Sequence, residues 1–146
     1  MKNEFKKDAV VFILGGLIYC GIELIFRGRT HPTMFLLAGC CSLIMAGLNN
    51  IFSFDMPFLI QVFISGCACS IGEYIFGILF NKNFTIWDYR NLPGTFANNQ
   101  LNILFCILWL LLSAIGIPIM DYIEWKYFKK EPKPYYIIFG KKFYLY

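Results

Sequence analysis

The stretch Ser65-Gly-Cys-Ala-Cys-Ser-Ile-Gly-Glu-Tyr-Ile-Phe-Gly-Ile-Leu-Phe80 decides how the rest of the chain is read. With the apolar residues just before it, it is long enough to cross a bilayer, yet it carries one ionisable side chain, Glu73. An acidic residue in hydrocarbon is costly unless it turns to the interior of a helix bundle, so by default it marks a candidate site. The pattern recurs upstream. Gly16, Cys20, Glu23 and Phe26 stand fifty positions before Gly66, Ser70, Glu73 and Phe76, and Glu23-Leu-Ile-Phe26 answers Glu73-Tyr-Ile-Phe76. Two tandem helix pairs in the same orientation, with a carboxylate at equivalent places, are the expected result.

Outward from that stretch, the chain of 146 residues is 58% hydrophobic and 19% aromatic, with a mean hydropathy of +0.59. Soluble domains are roughly 45–50% apolar. Four long apolar runs account for the excess, and they predict spans over 9–26, 33–52, 57–80 and 101–123. The expected fold is therefore all-α, an integral membrane four-helix bundle built from two tandem transmembrane hairpins. Residues 1–8 form an N-terminal tail, and 124–146 a basic, aromatic tail with Tyr135 to Tyr146 laid along the surface. The first run is longer than the apolar part of a signal peptide and ends in Arg27-Gly-Arg-Thr-His-Pro32, so it reads as an uncleaved span.

The basic residues set the orientation. Lys2, Lys6, Lys7, Lys126, Lys129, Lys130, Lys133, Lys141 and Lys142 flank the two ends, against Arg27, Arg29, Lys82 and Arg90 on the other side. Nine against four predicts a multi-pass protein of the cell membrane, a bacterial inner membrane, with both termini cytoplasmic. The net charge of +4 has no basic stripe with interleaved aromatics, so nucleic acid is not an expected partner. All six cysteines fall inside predicted spans and read as small packing residues, with a redox or metal role as the alternative. Cys67-Ala-Cys69 is not a zinc spacing, and no cofactor or metal is expected.

At 1.5 Å per residue, Glu23 lies roughly 21 Å along the first span and Glu73 roughly 24 Å along the third. Both sit near the outer loops, and with Arg27 they make a candidate intramembrane polar site. Arg27 is four residues after Glu23 on the same helical face, so Glu23 either pairs with Arg27 or faces Glu73. Glu73 has Gly77 at that position and must find a partner on another helix, stay protonated or line a polar cavity. His31, Trp87, Asp88, Tyr89 and Arg90 form a candidate outer-loop site. Within it His31 reads as a loop cap or a ligand, Asp88 as a turn former, and Trp87 and Tyr89 suit the headgroup region. The chain has no phosphate loop, no Gly-x-Ser-x-Gly elbow and no His-Glu-x-x-His helix, so no catalytic residue is assigned.

Glu73-Tyr-Ile-Phe-Gly77, Trp87-Asp-Tyr-Arg-Asn-Leu-Pro93 and Leu101 to Ser113 with Trp109 carry a resemblance, extended upstream by Glu23, Arg27-Gly-Arg-Thr-His31 and Met34-Phe-Leu-Leu-Ala-Gly39. On these residues the chain resembles the CmpB-like ABC-transporter permease family of small bacterial membrane proteins. It departs from that family's pattern at Pro93-Gly-Thr-Phe-Ala-Asn-Asn99. The resemblance implies a fold of four or more spans and a permease-like or channel-like subunit of unknown substrate, working with a separate ATPase or other membrane subunit as a homo- or hetero-oligomer in the lipid bilayer. The alternatives are a non-catalytic scaffold or regulatory protein of the membrane and, behind it, an intramembrane lipid-acting enzyme.

Overall fold

A computed structural model describes residues 2–146, with side-chain surroundings from Glu4 onward. Met1 of the expected tail, and the side chain of Lys2 used in the charge count, lie outside the described residues. The chain is 65% helical. Its elements run α1 (Lys2–Arg27), α2 (Pro32–Ile51), α3 (Phe58–Phe80), β1 (Thr95–Phe96), β2 (Leu101–Asn102), α4 (Ile103–Phe128), β3 (Tyr136–Ile138) and β4 (Lys141–Phe143). All four helices are long and apolar enough to cross a membrane.

The helix boundaries follow from local chemistry. His31 caps α2 by accepting from the Thr33 N–H at 3.2 Å, and Pro32 takes the first helical position, where its missing N–H is not needed. Asn102 caps α4 through the Leu104 N–H at 2.9 Å. α1 begins at Lys2 instead of Ala9, because nothing in the charged segment breaks a helix and Glu4 pairs with Lys7 one turn on at 2.7 Å. α4 passes through Pro118 and runs five residues beyond Ile123, to end where Lys129 turns left-handed at φ 54°.

α1 packs chiefly on α2 and α3 chiefly on α4, while α2 also touches both helices of the second pair. α2 is thus the central helix, and the seam between α1 and α4 is thin. Small residues set the distances. A Cβ on Gly15 would fall 1.6 Å from Ser42 Oγ, and one on Gly66 would lie 2.4 Å from Leu110 Cδ2 and 3.0 Å from its Cα. Such close backbone approach is how helices associate without a hydrophobic driving force between them. Outward, Ile25, Phe26, Phe63, Leu111 and Ile115 are exposed, as lipid-facing residues would be.

The C-terminal residues depart from the expected surface tail. β3 and β4 form an antiparallel hairpin that drives Tyr136 into the core against Phe54 and Phe58, with ring centroids at 6.4 and 5.0 Å. Pro57 bridges to Ile137 alongside. An aromatic ring gains more from that apolar slot than from the surface.

Gly66→Ala should therefore push α3 from α4 and lower the thermal unfolding temperature in detergent by the equivalent of about 1–3 kcal/mol. Gly21→Ala, where an added Cβ meets nothing within 4 Å, should leave it unchanged or raise it slightly.

Candidate functional site

Glu23 and Glu73 lie at the end of the bundle where α1 and α3 finish, here the upper end. Glu23 is 4% exposed, and both its oxygens are engaged. Arg27 Nη1 donates to Oε1 at 2.6 Å and Thr30 Oγ1 to Oε2 at 2.7 Å. Arg27 Nη2 reaches on to the Ile86 carbonyl at 3.0 Å and so ties the end of α1 to the long 81–100 connection. Glu23, Arg27, Thr30 and His31 line a small cavity of about 100 Å³ beside Ile86.

Glu73 is 2% exposed, and each of its oxygens accepts from one neutral donor. The Tyr89 O–H donates to Oε1 at 2.7 Å and Trp109 Nε1 to Oε2 at 2.9 Å. Among the described residues no basic side chain pairs with it. Its two donors are themselves fixed by rings. Tyr89 stacks on Phe105 at 4.5 Å, and Trp109 stacks on Tyr19 of α1 at 5.5 Å with the planes 8° apart. Glu23 pairs with Arg27 instead of facing Glu73, and the Tyr19–Trp109 stack is what joins the two neighbourhoods.

The 81–100 connection is folded onto the bundle. Trp87 and Tyr89 are buried, their rings turned into the protein and not toward its surroundings. Asn81 holds the start of the loop, its Nδ2 donating to the Trp87 carbonyl at 2.7 Å and its Oδ1 accepting from the Ile86 N–H at 2.9 Å. Trp87 Nε1 donates to the Gln100 carbonyl at 3.1 Å, and the Gln100 side chain donates back to the Asn81 carbonyl at 3.2 Å. Gln100 fits there because Gly77 leaves room, since a Cβ on Gly77 would lie 2.6 Å from Gln100 Oε1.

The remaining outer-loop residues are not brought to this centre. Asp88 and Arg90 form a forked exposed pair at 2.7 and 2.8 Å, with the guanidinium 4.5 Å over the Phe84 ring. Arg90 holds the Asp88 carboxyl down at about 2, so it is charged at neutral pH. His31 serves as the α2 cap and is exposed.

A second polar cluster, at the lower end where α1 starts and α4 finishes, was not singled out in the sequence. Asp121 and Glu124 are 2% and 1% exposed. Asp121 Oδ2 accepts from Asn49 Nδ2 at 2.7 Å and from the Tyr136 O–H at 2.8 Å. Glu124 pairs with Lys130, and with Lys7 at 3.4 Å. Asp121 Oδ1, Glu124 Oε1, Asn49 Oδ1 and Gln61 Oε1 are buried without hydrogen-bond partners. The signal available in the sequence was the spacing Asp121-x-x-Glu124, which puts both carboxylates on one helical face. Among the described residues no three His, Cys, Asp or Glu side chains are grouped to hold a metal ion, and the six cysteines are free.

The architecture so defined is a four-helix chain of membrane-crossing length with buried carboxylates near both ends and an apolar middle. No family model, curated protein or solved structure matches it.

Glu73→Leu should leave the Tyr89 hydroxyl and Trp109 N–H unpaired at a cost of about 1–3 kcal/mol each, and release the loop. Limited proteolysis in detergent should show faster cleavage within 81–100. Glu73→Gln, whose amide still offers one acceptor oxygen, should fall between that variant and the wild type, and Arg90→Ala should behave as wild type.

Proposed function

We propose that this chain is an integral membrane protein that crosses the bilayer four times with both termini cytoplasmic, and that it acts as a non-catalytic scaffold or regulatory subunit of a membrane assembly. Four apolar helices with exposed apolar faces support the location, and the lysines near the lower end support the orientation. One observation carries the role. All four oxygens of Glu23 and Glu73 are taken up by internal partners, Arg27 and Thr30 for one, Tyr89 and Trp109 for the other. Carboxylates so filled hold helices and loop in register. An ion or a substrate would have to compete with these internal donors at either carboxylate.

A permease-like subunit is the second reading. It is favoured by the resemblance to CmpB-like permeases and by three openings at successive heights of the bundle, the lowest on another face of α2 from the upper two. The first is the upper cavity at Glu23, the second an apolar pocket beside Gly15 and Tyr19, and the third a lower polar cleft at Lys7. With no phosphate loop of its own, such a subunit would draw energy from a separate ATPase.

Reconstitution separates the two. The scaffold reading expects proton, sodium and potassium fluxes in proteoliposomes no greater than in empty vesicles, for the wild type and for Glu73→Gln alike. A flux in the wild type that Glu73→Gln abolishes would reverse the ranking. Reporter fusions after residue 146 should be active as a cytoplasmic fluorescent protein and inactive as a periplasmic phosphatase.

A further inference from the structure

The β3–β4 hairpin turns through Phe139 and Gly140, with Ile138 paired to Lys141 on its last rung. Both turn residues have positive φ, 49° and 75°. A two-residue turn of that kind is ordinarily Asn-Gly, because a bulky side chain is strained in the left-handed region. Phe139 stands there nonetheless, and it is 91% exposed, more than any other large apolar side chain described. The fold carries a backbone cost at this position and recovers none of it by packing inside the chain.

The tip also has a definite place. Ile137 bridges in parallel to Pro57, so β3 runs the way the chain runs as it enters α3, and Phe139 follows two residues later. Tyr136 fixes the near end of the strand by packing on Phe58, the first residue of α3. On the first turn of that helix Leu59 and Ile60 are 59% and 48% exposed. Lys141 and Lys142 lie just past the turn and are exposed. Lys142 is 3.8 Å from Asp55, and Lys141 enters no ion pair among the described residues.

We propose that the hairpin tip is a lipid wedge, with Phe139 set into the cytoplasmic leaflet beside the first turn of α3 and Lys141 and Lys142 at the phosphates. The inference rests on the membrane reading above, in which Phe58 begins a span, so a tip at its height meets the boundary between headgroups and acyl chains. An apolar ring flanked by ammonium groups matches that boundary on both counts. Water would leave the ring and its strained turn without any return. A protein partner at this height would have to displace lipid from Leu59 and Ile60 as well. Seated in the leaflet, the wedge steadies the hairpin that brings Tyr136 to Asp121.

The test places the photoreactive residue p-benzoylphenylalanine at Phe139 in the full chain, in nanodiscs of phosphatidylethanolamine and phosphatidylglycerol. Irradiation should add one phospholipid, joined through an acyl chain, as read by intact mass and fragmentation. The same residue at Phe63, further along α3 and 62% exposed, reports on the membrane reading alone and should also take up lipid. Phe139→Asn supplies the Asn-Gly turn, so it should unfold in detergent at an equal or higher temperature than the wild type. In nanodiscs that variant should nevertheless be cut by trypsin after Lys141 and Lys142 roughly threefold faster or more, because its tip is no longer held in lipid. A purely structural role for Phe139 would move both readouts in one direction. Lipid on Phe63 with none on Phe139, a protein adduct at Phe139 in place of lipid, or equal cleavage of variant and wild type would overturn the proposal while leaving the membrane reading intact. Lipid at neither position would remove that reading, and the wedge with it.

Discussion

A carboxylate taken into an apolar interior must find every partner it needs inside, and the upper half of this molecule is built around meeting that demand for Glu73. Tyr89 comes from the long connection and Trp109 from α4, so one side chain on α3 fixes two other parts of the chain at once. Trp109 then stacks on Tyr19, which brings α1 into the same arrangement. An unpaired donor or acceptor at this depth would cost more than it does in water, because no solvent can replace the lost partner. The ordered 81–100 segment is a consequence. A connection of that length is usually a mobile loop or a lid, yet here it is held at Asn81, Trp87, Tyr89 and Gln100.

The lower half meets the same demand incompletely. Glu124 lies between two lysines and Asp121 between an amide and a phenol, yet one oxygen of each carboxylate is left without a hydrogen bond. Between the halves the bundle is held by small residues that let helices approach, such as Gly15 against Ser42 and Gly66 against Leu110. This division, charged ends around an apolar middle, accompanies four helices long and apolar enough to cross a membrane.

Much of this could be read from the residues, and the limits are physical. The four helices were legible because apolar runs of that length have few other uses, and the Glu23–Arg27 pair because it is local, four residues apart on one face. Partners for Glu73 were not legible. They come from 16 and 36 residues away, and only tertiary packing selects them among nine tyrosines and three tryptophans. Trp87 and Tyr89 looked interfacial because aromatic residues with polar tips collect there. Their burial depends on the Asn81–Gln100 lock, which spans 19 residues and has no local signature. Asp121 and Glu124 stood where the apolar run gives way to lysines, and their inward direction follows from Lys7 at the far end of the chain and from a β-hairpin that the basic composition of the tail concealed.

That hairpin has a bearing on how the molecule is made. Tyr136 is the hydroxyl partner of Asp121, but a ribosome delivers it only after all four helices have been synthesised. Until then, Asn49 is the one hydrogen-bond partner of Asp121 among the described residues that the helices themselves supply. Its final partner arrives last, so docking of the hairpin closes the lower end of the bundle only after the four helices have been made.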